Sequence, residues 1–317
     1  MVYRIGIDGG GTKTLGVLIN EKGQILGQKE AGPANFLTVG LDQAIKNIEA
    51  VIYGLCKEHN LSLNDVKIGM GLAGVGREKD KKILTEALSG RNFDSVIETD
   101  AVAALMAATE GKDGIIVAAG TGSIAYGIRG GKQVRVGGWG YLLGDEGSGY
   151  YIGKRAMMEA CRSYDGRSKH SLLHEIVLDY FACINHDDFI SFIYEQPPLR
   201  QQVADLTRKV ADVANKKQDS LAIQILEDAA SELAQLAITA AKRLDYQDEE
   251  FALGFVGGVF RAGDHIEKPF REKVLEVFPK AKIEPCLHHP AVGAALMIAP
   301  LSEDAIANLR NTKKGSD

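Results

Sequence analysis

The sequence predicts an α/β protein of two domains, each a mixed β-sheet flanked by helices, and three observations carry that expectation. The chain has 317 residues, more than one hydrophobic core ordinarily serves. Short apolar, β-branched runs alternate with helix-length runs, an order that suits a mixed sheet with helices on both faces. One local pattern (strand, glycine turn, strand, third strand) occurs twice, about 110 residues apart. The repeat is faint in residue identity and clear in organisation.

The first copy opens the chain. Residues 2–7 and 14–19 read as strands around the turn Asp8-Gly9-Gly10-Gly11-Thr12-Lys13. Successive glycines free the backbone for φ > 0 and present N–H groups to an anion with no Cβ in the way. Thr12 and Thr14 add hydroxyl donors and Lys13 a charge. Asp8, where the strand ends, suits a carboxylate that holds a metal through its waters. A hairpin that grips phosphate is expected; the plainer alternative is a turn that is merely glycine-rich. A P-loop is excluded because Thr12 precedes Lys13 and a strand follows. A dinucleotide fingerprint is excluded because Thr14 stands where its third glycine belongs.

A third strand over 25–31 ends at Gly32-Pro33-Ala34-Asn35. Residues 41–59 have helical spacing (Ile45, Ile48, Ile52, Leu55), with Asp42 in the first turn. A strand over 66–72 leaves through Ala73-Gly74-Val75-Gly76, and a helix covers 80–88. The strand at 96–99 ends at Asp100 before an alanine-rich helix, 101–109. Asp100 is either the cap of that helix or a carboxylate facing a ligand. The second copy follows: strand 114–119, turn Gly120-Thr121-Gly122-Ser123, strand 124–129, tight turn Gly130-Gly131-Lys132 and strand 134–136. Two such tips could grip a polyphosphate from both sides.

Residues 137–149 are rich in glycine and hold the only tryptophan, Trp139. Ordering so many glycines costs backbone entropy, which points to a ligand. Asp145 could accept hydrogen bonds from the hydroxyls of a sugar-like molecule; alternatively Asp145 and Glu146 are N-terminal acids of a helix over 150–161. Residues 171–246 read as nearly all helix, with amphipathic runs over 199–216 and 220–244, a scaffold and partner surface without legible chemistry. His170, His174 and His186 share no spacing there. A strand over 252–256 runs into Gly257-Gly258, which invites a flat ligand such as a nucleoside. A helix (266–278), a strand (282–284) and a small-residue helix (290–298) complete the chain, and His288-His289 resembles a metal pair that lacks a third ligand.

Composition sets limits. The net charge of −5 argues against nucleic acid or an anionic membrane as partner. No apolar run reaches spanning length and no signal peptide precedes the first strand, so a cytoplasmic location is expected. Cys56, Cys161, Cys183 and Cys286 are scattered, which fits a reducing compartment and gives no zinc or redox spacing.

Five motifs now stand in order: Asp-Gly-Gly-Gly-Thr-Lys-Thr from Asp8, Thr-Asp-Ala from Thr99, Ala-Gly-Thr-Gly-Ser from Ala119, Gly-Gly-Trp-Gly with Gly-Asp-Glu-Gly-Ser from Gly137, and Val-Gly-Gly-Val from Val256. Together they resemble the BadF/BadG/BcrA/BcrD ATPase-type family, and within it the N-acetylglucosamine kinases of the actin, sugar kinase and Hsp70 superfamily. The match runs from about residue 3 to about residue 300. The resemblance implies two actin-like (ribonuclease H-like) domains with an interdomain cleft for Mg-ATP and an amino sugar. Residues 1–112, joined by a C-terminal helix at about 290–310, would form one; residues 113–289, with a helical insertion at about 165–246, the other. Gly10, Gly11, Thr12 and Lys13 would form the first phosphate loop, Gly120, Thr121 and Gly122 the second, and Gly257 and Gly258 would border the adenosine. Asp8 would hold magnesium through water. Asn35, Ser123, Gly138, Trp139, Gly140 and Asp145 would line the sugar site with Asp100, the catalytic base.

The implied reaction moves the γ-phosphoryl of ATP to a hydroxyl, by family expectation the 6-hydroxyl, of N-acetylglucosamine, N-acetylmuramic acid or glucosamine, and the implied assembly is a homodimer. One rival is the activator component of a 2-hydroxyacyl-CoA dehydratase or benzoyl-CoA reductase-type system, which needs cysteines for a subunit-bridging iron–sulfur cluster that the four here do not suggest. Another is a non-catalytic sugar sensor, against which Asp8 and Asp100 speak. A repressor-related glucokinase would need a zinc-type cysteine cluster and Glu-x-Gly-His, and the sequence has neither.

Overall fold

The computed structural model describes residues 3–91 and 93–312; Val2, expected to open the first strand, lies outside them. In chain order the elements are β1 (Tyr3–Gly9), β2 (Thr14–Ile19), β3 (Ile25–Ala31), α1 (Phe36–Val39), α2 (Leu41–Glu58), β4 (Val66–Leu72), α3 (Glu78–Ser89), β5 (Ser95–Thr99) and α4 (Asp100–Ala108). Then come β6 (Gly114–Ala119), β7 (Ser123–Arg129), β8 (Lys132–Gly137), α5 (Gly149–Tyr164), α6 (Leu173–Tyr180), α7 (His186–Glu195), α8 (Arg200–Asp205), α9 (Thr207–Lys217) and α10 (Ser220–Arg243). The chain ends with β9 (Phe251–Val256), α11 (Asp264–Val277), β10 (Ala281–Pro285), α12 (Pro290–Leu296) and α13 (Glu303–Thr312).

Two compact units result, one from Met1–Gly114 with Pro285–Asp317, the other from Ile115–Glu284. The first holds a five-stranded sheet in the order β3-β2-β1-β4-β5. There β1 pairs antiparallel with β2 and parallel with β4, β2 pairs antiparallel with β3, and β4 pairs parallel with β5. The second sheet, read from its opposite edge, is β8-β7-β6-β9-β10. Counted from its own first strand, each sheet has the same order, 3-2-1-4-5, so the repeat seen in the sequence is a repeat of topology.

In the first unit, α2 buries Ala44, Ile45, Ile48, Val51, Ile52 and Leu55, the i, i+3, i+4 face that its spacing predicts. Helix α12 lies almost against the strands. A Cβ at Gly6 would stand 1.9 Å from the Ala291 carbonyl oxygen, and one at Gly69 would stand 1.8 Å from that of Ala294. Small residues on both sides are what permit the approach. The second unit packs on alanine-rich α10, which buries Ile225, Leu226, Ala229, Ala230, Leu233 and Ala237 along one face. A Cβ at Gly153 of α5 would meet the Val203 carbonyl of α8 at 1.9 Å.

Three local differences from expectation have physical causes. The run expected at 199–216 is interrupted at Leu206, where the Thr207 hydroxyl donates to the Gly149 carbonyl at 3.0 Å. The four-residue α1 is too short to show a period; it is capped by Asn35, whose Oδ1 accepts from the Leu37 N–H at 3.2 Å. The helix expected at 290–298 is α12 alone, and α13 follows as a separate element. No helix among the described residues is long and apolar enough to cross a membrane.

Candidate functional site

The candidate residues fall into two groups, one in each unit. In the first unit, strand register places the acids. Gly9 pairs with Leu72 and Leu72 with Thr99, so β1, β4 and β5 end in one row, with Asp8 just before it and Asp100 just after. Carboxyl ends of parallel strands are where open α/β sheets bind ligands. Burial and the Asp100 carboxylate push Asp8 up to about 6, against the opposing pull of Lys13. A desolvated carboxylate facing a second carboxylate is relieved by a divalent cation, so these residues fit the magnesium that the resemblance implies.

Asp100 is not the cap of its helix. Thr99 takes that place, its Oγ1 accepting from the Val102 N–H at 3.3 Å, and Asp100 is the first helical residue. Among the described residues the exposed Asp100 carboxylate accepts only from the adjacent Ala101 N–H, at 2.9 Å, which leaves it open to a ligand.

The β1–β2 turn closes through Gly10 N–H donating to the Lys13 carbonyl at 3.0 Å, while the Gly10 carbonyl accepts from the N–H groups of Ala34 and Asn35. None of Gly9, Gly10 and Gly11 uses a positive φ, contrary to expectation. Space explains Gly9 alone: a Cβ there would strike Leu72 at 2.5 Å, whereas one at Gly10 would come no nearer than 3.7 Å to the Lys13 carbonyl and one at Gly11 would meet nothing within 4 Å. Thr12 is exposed at the tip. Thr14 is no ligand donor, because its fully buried hydroxyl donates to the Gly32 carbonyl at 2.7 Å. Lys13 pairs with Glu30 at 2.5 Å in an exposed ion pair. Asn35 is brought to the same turn and fixed there by α1 and by Gly74, where a Cβ would come 2.5 Å from Asn35 Oδ1.

The histidine pair expected near the end of the chain splits. His289 caps α12, its Nδ1 accepting from Ala291 N–H, and its Nε2 lies 3.9 Å from Asp8 Oδ2. Buried His288 faces Glu110 instead, at 3.7 Å, beyond hydrogen-bond reach. No cluster of three metal-type ligands forms among the described residues.

In the second unit, the Gly120–Gly122 turn closes through Gly120 N–H to the Gly122 carbonyl at 2.9 Å, and the Gly120 carbonyl accepts from Gly149 at 2.7 Å. Gly257, at φ +118°, lets β9 leave beside β6; a Cβ there would sit 2.1 Å from the Ala119 carbonyl oxygen. Between these turns opens a cavity of about 750 Å³, lined by Gly120, Thr121, Gln201, Asn215, Gly258 and Arg261 among others. Its size and mixed polar lining suit a nucleotide. Sequence reasoning missed the helical side of this cavity. A signal was present: Gln201, Asp205, Arg208, Asp212 and Asn215, all lining it, recur every three or four residues along one face.

Asp145 is 4 % exposed, stands at φ +60°, and pairs with Arg200 Nη2 at 2.8 Å. It is not a helix acid, since Ser148 caps α5 with its Oγ accepting from Tyr151 N–H. Ser123 is buried, its hydroxyl donating to the Glu146 carbonyl at 2.6 Å, so it fixes this loop from below. Gly138 and Gly140, at φ +70° and +86°, turn the chain on either side of Trp139, which is 69 % exposed and lies 5.2 Å from the Arg135 guanidinium.

Known proteins match this chain over most of its length. An N-acetylmuramic acid/N-acetylglucosamine kinase of Clostridium acetobutylicum is 33% identical over 302 residues, 94% of this chain and 98% of that protein. An N-acetyl-D-glucosamine kinase of Dictyostelium discoideum is 34% identical over 308 residues, 92% of this chain and 96% of that protein. A solved structure from Chromobacterium violaceum, provisionally named an N-acetylglucosamine kinase, superposes with a TM-score of 0.69 at 29% identity, covering 94% of this chain and 99% of its own. The two-sheet architecture described above is thus the two-domain actin-like fold of such proteins. The profile of the BadF/BadG/BcrA/BcrD ATPase family matches residues 5–298, and this chain belongs to that family.

Proposed function

We propose that this protein is an ATP-dependent amino-sugar kinase that transfers the γ-phosphoryl of Mg-ATP to a hydroxyl, the 6-hydroxyl, of N-acetylglucosamine or of N-acetylmuramic acid or glucosamine. The observation that carries the reading is the pair of carboxylates, Asp8 and Asp100, set beside a glycine turn at the ends of parallel strands. The sugar kinases named for the relatives support the choice of acceptor.

Each residue then has a task. Asp8 holds magnesium, which neutralises charge on the phosphates when bound. The open faces of Gly10, Gly11 and Gly120 let phosphate oxygens reach backbone N–H groups, and Thr12 and Lys13 add donors at the first turn. Thr121, Gly122, Gly257 and Gly258 shape the nucleotide cavity and its rim. Asn35, Gly138, Trp139, Gly140 and Asp145 orient the sugar, and Ser123, buried with its hydroxyl on the Glu146 carbonyl, supports the loop at 137–149 rather than touching the ligand. Asp100 accepts the proton of the attacking hydroxyl; that oxygen bonds to the γ-phosphorus, the bond to the β-phosphate oxygen breaks, and ADP leaves. A homodimer in the cytoplasm belongs to the same proposal.

A coupled ADP-release assay over the three sugars tests it. Turnover with at least one of them is the expected result, and no ADP release with any of them overturns the assignment.

A further inference from the structure

Arg200 stands where neither the expected motifs nor the reading of 199–216 as scaffold placed any chemistry. A Cβ built on Gly122 would lie 2.6 Å from its Nη2, so the guanidinium rests directly on the second glycine turn. Asp145 is its only hydrogen-bond partner among the described residues, at 2.8 Å, and the ring of Tyr141 lies 5.5 Å from the guanidinium carbon. Guanidinium carries five N–H donors, so several remain for an incoming anion. The side chain keeps 41 % of its surface open.

Its mounting is rigid. The next residue, Gln201, accepts from the Thr121 hydroxyl at 2.6 Å, which ties α8 to the same turn, and α8 packs backbone to backbone on Gly153 of α5. Position then selects the phosphate. Gly120 and Thr121 line the nucleotide cavity; Gly122 and Arg200 do not, and stand past it on the side of Asp145. A nucleoside bound in that cavity, with its phosphates running along the turn, would bring its terminal phosphoryl to the guanidinium.

We infer that Arg200 is a further catalytic residue, whose guanidinium, aligned by Asp145, contacts the transferring γ-phosphoryl. The inference rests on the kinase reading for the identity of the ligand. Planar guanidinium matches phosphate oxygens with two parallel hydrogen bonds, and charge on those oxygens is what the protein must stabilise during transfer.

The test compares Mg-ADP with Mg-AMPPNP, by titration calorimetry without sugar, on wild type, Arg200→Gln and Arg200→Lys. The lysine variant keeps a cation beside buried Asp145 and so preserves the fold if the glutamine variant does not. Expected are an ADP affinity within about twofold of wild type, an AMPPNP affinity lower by about tenfold or more, and a kcat lower by about 10²-fold or more. If Arg200 only neutralises Asp145, both nucleotide affinities fall together with the melting temperature, or neither moves; either pattern overturns the inference. Should wild type release no ADP with any amino sugar while the loss remains selective for AMPPNP, the kinase reading fails and the γ-phosphoryl contact stands.

Discussion

Asp100 illustrates how a role separates from a fold at a single residue. Thr99 carries the cap, so Asp100→Asn removes a proton acceptor and leaves α4 intact. The expected result is an unchanged melting temperature, sugar and ATP affinities within a few-fold, and a kcat lower by about 10²–10⁴, roughly 3–5 kcal/mol of barrier. A kcat within a few-fold of wild type would move the base elsewhere, with Asp145 next to be tried. Gly120 gives a matching test of the phosphate turn. It has no positive φ and a Cβ there meets nothing within 4 Å, so Gly120→Ala should fold normally and lose nucleotide affinity. Unchanged ADP binding in that variant would make the turn structural. Gly122→Val is a poorer probe, since its side chain would strike Arg200 and Asp145. Acids at strand ends and glycine turns were legible in the sequence because their chemistry and their local structure share one short stretch. Arg200 and Gln201 were not, because polar residues along one face of an amphipathic helix read as solvated surface until the fold shows what they face.

At the scale of elements, strands were legible almost to the residue, since an apolar β-branched run bounded by glycine or acid leaves few choices. What joins elements was not. Helix α13 is held by Arg310, whose guanidinium grips both oxygens of Glu110 at 2.5 Å, with buried His288 3.7 Å from Oε1 of the same carboxylate. Burial alone would raise the Glu110 carboxyl, but His288 and Arg310 outweigh it and hold it down at about 2. The folded pKa lies below the unfolded value of about 4.5, so the pair stabilises fully above that value and its contribution is lost as pH falls from about 4.5 toward 2. Glu110→Gln should therefore cost about 2 kcal/mol at pH 7 and progressively less below pH 4.5, as urea midpoints across that range would show. A cost that stays constant with pH would mean that packing, and not the ionised carboxylate, holds α13.

At the scale of the molecule, the two units have the same strand order but are built differently from the chain. The first takes residues from both ends, Met1–Gly114 and Pro285–Asp317, and depends on α12 lying against β1 and β4. Nothing local in 290–298 announces that return, which the family resemblance alone implied; the close approach at Gly6 and Gly69 is what it rests on. The second unit, Ile115–Glu284, is one continuous stretch with its own five-stranded sheet and its own core of some forty buried residues from Ile115 to Ile283. Every residue lining the 750 Å³ cavity also belongs to it. Residues 115–284 expressed alone should consequently fold cooperatively and bind ADP within about one order of magnitude of the full chain, about 1.4 kcal/mol, while showing no sugar-dependent ADP release because Asp8 and Asp100 are absent. A thermal melt followed by circular dichroism and an ADP titration decide it. Without a cooperative melt, the second unit depends on the first to fold; if the melt is cooperative but ADP does not bind, the cavity on α8 and α9 is not where the nucleotide sits.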